Sequence, residues 1–160
     1  MTIDELAAHG VERMDEETIR EFLKTQGTGV LGLPTERLPY MVPLSYGFDG
    51  ESNLYFTYVV GDVSQKALLS EETAVASFLV YTADTESTWS SVSLEGTISR
   101  VPEREWDSLG DALEPLHRPE ALREASEAED VQVYRFEIQN QTGIRHAGVP
   151  PGMESEDSER

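Results

Sequence analysis

Two short stretches of this chain combine residue types that can hold a small charged or planar molecule. The first is Gly61-Asp62-Val63-Ser64-Gln65-Lys66, where a β-rich run ends, Ser64 stands where a helix N-cap belongs, and Lys66 falls in the first turn. Amide groups at a helix start, a capping hydroxyl and an ammonium group together suit a phosphate, and the same residues equally suit an ordinary capped helix. Lys66 is one of only two lysines in the chain, the other being Lys24. The second stretch is Tyr40-Met41-Val42-Pro43-Leu44-Ser45-Tyr46, a strand-like run with a proline inside it. Proline donates no ladder hydrogen bond, so this strand is expected at an edge, a bulge or an opening. An edge strand needs no ligand to explain it. It also offers a planar ring the backbone groups of Val42 and Leu44 and the hydroxyl of Ser45 as partners.

Other chemistries find little support. The chain has no cysteine, which excludes disulfides, thiolate metal sites and a cysteine nucleophile. His9, His117 and His146 share no metal-ligand spacing, and neither a His-Glu-x-x-His run nor a glycine-flanked serine elbow occurs. His146, beside Arg145, is the histidine to watch. No catalytic pair stands out among the acidic residues, and no catalytic residue is assigned.

The elements that must position these stretches are mostly short strands. Acids at Asp15, Glu16 and Glu17 and apolar residues at Ile19, Phe22 and Leu23 predict a first helix, ended by Gly27 and Gly29. Strands are expected over 28–33 and 40–48, separated by a turn at 34–38, and Asp49-Gly50-Glu51 makes a hairpin into a strand over 53–59. In that third strand Leu54, Phe56 and Tyr58 share a face. A short helix over 65–69 follows, then strands over 73–82 and 88–101, with Gly96 marking a bulge or a close backbone approach. A helix over 103–113, an acidic helix or loop through Glu129 and a closing strand over 131–138 complete the pattern. There is no βαβ alternation. The expected fold is a mainly β, six-stranded antiparallel split barrel with short flanking helices, one domain over 1–150, and a disordered acidic tail over 151–160.

Charge is the most unusual bulk property of the 160 residues: 31 acidic against 12 basic residues give a formal net charge of −19. Nucleic acid and anionic lipid are poor partners for such a surface. Ten of the basic residues are arginine, and the acids run from Asp4 to Glu159, a pattern that suits high salt, where screening shortens to about 3 Å in molar electrolyte. The first residues carry no basic, apolar secretory pattern, and no apolar run reaches the roughly 20 residues that span a bilayer, so a cytoplasmic location is the expectation.

The order of the motifs resembles one family. Gly29-Val30-Leu31-Gly32-Leu33, then 38–46, Asn53-Leu54-Tyr55-Phe56-Thr57, Ser64-Gln65-Lys66 and Thr73-Ala74-Val75-Ala76-Ser77-Phe78 together resemble the pyridoxamine 5′-phosphate oxidase-like split-barrel flavoproteins, in the form of a strongly acidic, haloarchaeal-type member. The resemblance implies a homodimer that holds FMN in a cleft between subunits and a flavin-mediated oxidoreductase acting on a small molecule. It aligns Val42, Pro43, Leu44 and Ser45 with the strand along the flavin ring, and Ser64 and Lys66 with the phosphate turn. Trp89, Ser90 and Ser91 fall at the start of a strand that runs near the flavin in such proteins, although Trp89 equally suits a core or an interface. Thr57 stands where many relatives have histidine, and Gln65 where many have a second basic residue. Deazaflavin or heme in the same fold, or a flavin-storage module without turnover, are the alternatives.

Overall fold

Long alternations of apolar and polar side chains at 75–101 and 130–147 become the longest strands of one curled sheet. The computed structural model describes residues 2–60, 69–71, 74–113 and 130–147. In chain order the elements are α1 (Ile3–Ala7), β1 (Val11–Arg13), α2 (Glu16–Thr25), β2 (Thr28–Leu33), β3 (Tyr40–Ser45), β4 (Gly47–Phe48), β5 (Asn53–Val60), β6 (Val75–Thr85), β7 (Thr88–Val101), a 3-10 helix (Glu103–Leu109), α3 (Gly110–Leu113) and β8 (Asp130–Ala147).

All pairings are antiparallel, in the order β3-β2-β6-β7-β8-β5-β4, with β1 added against β8. The two ends of this order, β3 and β4, are consecutive in the chain through Tyr46. The sheet therefore curls until its ends meet in one bent strand, which is the split-barrel architecture.

Inside lies an aromatic core. Phe56 and Phe78 stack with centroids 5.0 Å apart, and Phe136 and Tyr46 pack around Phe78. Tyr58 and Tyr134 stack at 4.5 Å and are fully buried. One end of the barrel is covered by α2, which is capped by Asp15 accepting from the Thr18 amide at 2.8 Å and inserts Ile19 and Leu23 into the core. A Cβ at Gly143 of β8 would crowd Ile19 and Met14, so this glycine sets how closely the helix approaches the sheet. A second, smaller cluster on the outer side packs Trp106, Leu109 and Leu113 over Tyr55, Val101 and Val133.

Several expectations need correction. The single strand over 40–48 is two, because its first part pairs with β2 and its second with β5. That division and β1 make seven strands along the path plus an eighth, against the six expected. Residues 3–13, ahead of the first expected element, form α1 and β1. The closing strand runs from Asp130 to Ala147, so His146 lies on it instead of after it. The helix expected over 103–113 is a 3-10 turn followed by one short α-helix. Gly96 does mark a bulge: between Glu95 and Gly96 the partner on β8 jumps from Asn140 to Ile138. The helix over 65–69 falls mainly outside the described residues, as do the region 114–129 with His117 and the tail 151–160.

Candidate functional site

Pro43 sits where its chemistry requires. β3 ends the sheet path and among the described residues pairs only with β2, with Pro43 opposite Val30. Tyr46 donates its amide to Gly27 O at 2.9 Å. Backbone groups alternate sides along an antiparallel strand, so Leu44 and Val42 turn theirs toward β2 as Tyr46 does, while Met41, Pro43 and Ser45 face the open edge. Proline thus occupies a place where no ladder amide is needed. The expectation that Val42 and Leu44 offer free backbone groups is corrected: the open edge carries the carbonyls of Met41 and Pro43 and both backbone groups of Ser45. The side chains alternate as well. Val42 and Leu44 pack on the core from half-buried positions, whereas Pro43 and Ser45 are exposed.

Across that edge lies β5. The β4 residues Gly47 and Phe48 pair with Tyr55 and Leu54, but the ladder stops there, and among the described residues no pairing joins β3 to β5. This unladdered seam is the split of the barrel. Its far end is the exit of β5 at Val60, from which the chain enters 61–68; Ser64 and Lys66 lie outside the described residues.

The rest of the assigned residues stand elsewhere. Trp89, Ser90 and Ser91 open β7, opposite Ala83, Thr82 and Tyr81 on one side and His146, Arg145 and Ile144 on the other. All three are half-buried, and the Trp89 ring lies 6.2 Å from that of His146. Between Ser45 and Ser91 stand β2 and β6, so three strand spacings of about 4.8 Å, roughly 14 Å, separate them across the sheet. Within one chain these two groups do not converge.

A feature that the motif reading passed over is the outer face of the sheet between them. Met41 is 69% exposed, Val75 58% and Tyr81 56%, and Leu79 joins them. Beside Met41 and Val75 a groove of about 590 Å³ runs past Gly32, Pro39, Glu95 and Gln139. The signal was present in β6: Ala76, Phe78 and Val80 are buried on one face while Val75, Leu79 and Tyr81 occupy the other. A strand apolar on both faces is suited to cover on both.

Among the described residues no cluster of His, Asp or Glu could hold a metal ion, and no helix is long and apolar enough to cross a membrane. Among the described residues the large shifts fall on three buried phenols, and burial raises Tyr46, which follows β3. Burial pushes Tyr58 up to about 12, slightly opposed by its hydrogen bond with Ser70, and burial followed by the bond and charge of Glu71 raises Tyr134. Tyr58 stands on β5, the strand across the split from β3, and Tyr134 one strand beyond it on β8.

Solved structures share this arrangement. A FAD-binding protein from Mesorhizobium loti superposes with a TM-score of 0.67 at 19% identity, over 84% of this chain and 96% of its own. The FAD-binding protein of Mycobacterium smegmatis gives 0.65 at 14% identity, covering 84% and 98%, and the FAD- and heme-binding protein of the same organism gives 0.65 at 18%, covering 88% and 75%. At such identities the likeness concerns the fold. No curated protein sequence matches the chain. The family model for pyridoxamine 5′-phosphate oxidase matches residues 15–145, from the cap of α2 to two residues short of the end of β8, and on that match the chain belongs to the pyridoxamine 5′-phosphate oxidase family.

Proposed function

We propose that this protein binds FMN in the split between β3 and β5 and serves as a flavin-dependent oxidoreductase, working as a homodimer in a salt-rich cytoplasm. The observation that carries the reading is the open edge of β3 beside an unladdered β5, ending where the chain enters the segment of Ser64 and Lys66. A flavin ring is apolar on its faces and polar along its rim. Val42 and Pro43 offer the first kind of surface, and the carbonyls of Met41 and Pro43 and the backbone and hydroxyl of Ser45 offer the second. Ser64 and Lys66 would hold the phosphate, the ammonium group counting for more in a chain of net charge −19. Bound flavin supplies hydride or electron transfer, and the protein supplies orientation.

The homodimer is supported by two facts. The apolar outer face around Met41, Leu79 and Tyr81 is larger than a solitary exposed side chain, and Trp89, Ser90 and Ser91 stand too far from β3 to touch the same ring within one chain. A second copy can bring its own β7 to that ring.

Absorbance spectra in molar salt, before and after adding FMN and desalting, test the reading; retained stoichiometric flavin is expected, and a folded protein that retains none overturns it. Lys66→Ala should weaken FMN binding by about 1 to 3 kcal/mol, with Lys24→Ala, on the exposed side of α2, as control. Unchanged affinity removes Lys66 from the site. FAD is the second reading, favoured by the described ligands of the M. loti and M. smegmatis structures, and the same desalting experiment with FAD separates the two.

A further inference from the structure

His146 makes two contacts of one kind. Its Nδ1 lies 2.6 Å from the carbonyl oxygen of Ser87, in the β6–β7 turn, and its Nε2 lies 2.9 Å from the carbonyl oxygen of His9, between α1 and β1. A carbonyl oxygen only accepts. A neutral imidazole carries one N–H, so it can bond one of these oxygens while turning a lone pair toward the other; with a hydrogen on each nitrogen it bonds both. From this geometry we infer that His146 is a proton-dependent latch for the N-terminal segment: the doubly protonated ring ties residues 2–13 to the barrel, and loss of one proton loosens them.

The segment is well suited to be released. Among the residues whose side chains are described, Val11 is its one buried apolar residue, and three residue pairs join β1 to β8. Besides the latch, the other side-chain tie from this segment to β8 among the described residues is Glu12 with Arg145, exposed at 3.2 Å, and such a pair contributes little in salt. One hydrogen bond from a charged donor is therefore a large share of what holds residues 2–13. Among the described residues, the ionisable groups on the elements the ring contacts include His9, whose carbonyl it meets, Glu12 and Arg145, which pair with each other, and Glu86, next in sequence to Ser87. Detachment would uncover Val11 and free the edge of β8 at 144–146, on the strand that also backs Trp89, Ser90 and Ser91.

Long-range proton–nitrogen spectra of the 15N-histidine-labelled full chain, in molar salt from about pH 5 to about pH 9, read the ring directly. Protons on both nitrogens of His146 at the acid end, with one lost on the way up, are expected; a single protonated nitrogen throughout overturns the inference. Amide exchange then tests the latch. As the ring loses its second proton, amides of residues 10–13 should exchange about tenfold faster or more, beyond the ordinary pH dependence, while those of β6 and β7 keep their protection. His146→Gln, with one donor group that cannot reach both carbonyls, should exchange at the faster level at every pH. Exchange in residues 10–13 that shows no such step overturns the latch even if the ring is charged.

Discussion

β3 and β8 end their ladders in opposite ways. β8 is paired on both sides over most of its length: β7 pairs with residues 133–147 on one, while β5 pairs with 130–137 and β1 with 144–146 on the other, with a short gap between them. β3 has β2 on one side and an open seam toward β5 on the other, and a proline stands on the open side. The sealed strand carries the barrel's stability, and the open one is where a ligand can meet unused backbone groups. The difference teaches that the proline is not a flaw in the sheet but the residue that keeps one edge from being laddered.

The comparison breaks most easily at the sealed strand. Phe136 is fully buried on β8 among Phe56 and Phe78, and Phe136→Ala should destabilise by about 3 to 5 kcal/mol in denaturant titration. A loss below about 1 kcal/mol would mean that the core does not depend on β8.

A milder probe is alkaline pH, which acts on the seam between β5 and β8 through Tyr58. Its folded-state phenol is raised to about 12 by burial, while an unfolded tyrosine ionises near pH 10. Its contribution to stability is therefore complete below about pH 10 and declines as pH rises toward about 12. Unfolding midpoints measured across that window should fall, and Tyr58→Phe should flatten the fall; parallel slopes would remove Tyr58 from this role.

Least expected is any effect at the open edge. Pro43→Val should leave the unfolding free energy within about 0.5 kcal/mol, because no ladder bond passes through position 43, while raising concentration-dependent association seen by light scattering. A loss of more than 1 kcal/mol would mean that β3 has a partner on that side after all.

Much of this contrast was legible in the residues. The strands over 28–33 and 88–101 have the expected bounds, and Pro43 marked its strand as an edge. The division at Tyr46 was hidden because Tyr40, Val42, Leu44, Tyr46 and Phe48 keep one inward alternation, and period two tells which face a side chain takes but not which neighbour the backbone joins. The second half of β8 was hidden by Gln139, Asn140, Gln141 and Thr142, whose polar run reads as loop although β7 pairs along it. Ahead of the first expected helix, α1 is marked by the Thr2–Glu5 capping box and by Ile3, Leu6 and Ala7 at helical spacing but is only five residues long, and the three residues of β1 are too few for a period to register. At the candidate site the residue types pointed to β3, but the seam beside it depends on where a ladder stops. The partners of His146 are backbone carbonyls, which every residue has and no motif marks.

The position of β8 also governs when the barrel can exist during synthesis. Among the described residues it is the last strand of the sheet in chain order, yet it lies between β7 and β5 and is the sole sheet partner of β1. While residues up to about 130 have left the ribosome, β1 has no strand to join and β5 has only the two-residue β4. The edge of β5 on the side away from β4 must wait unpaired for a strand that follows every other strand of the sheet in the chain, so the barrel closes only when β8 is inserted.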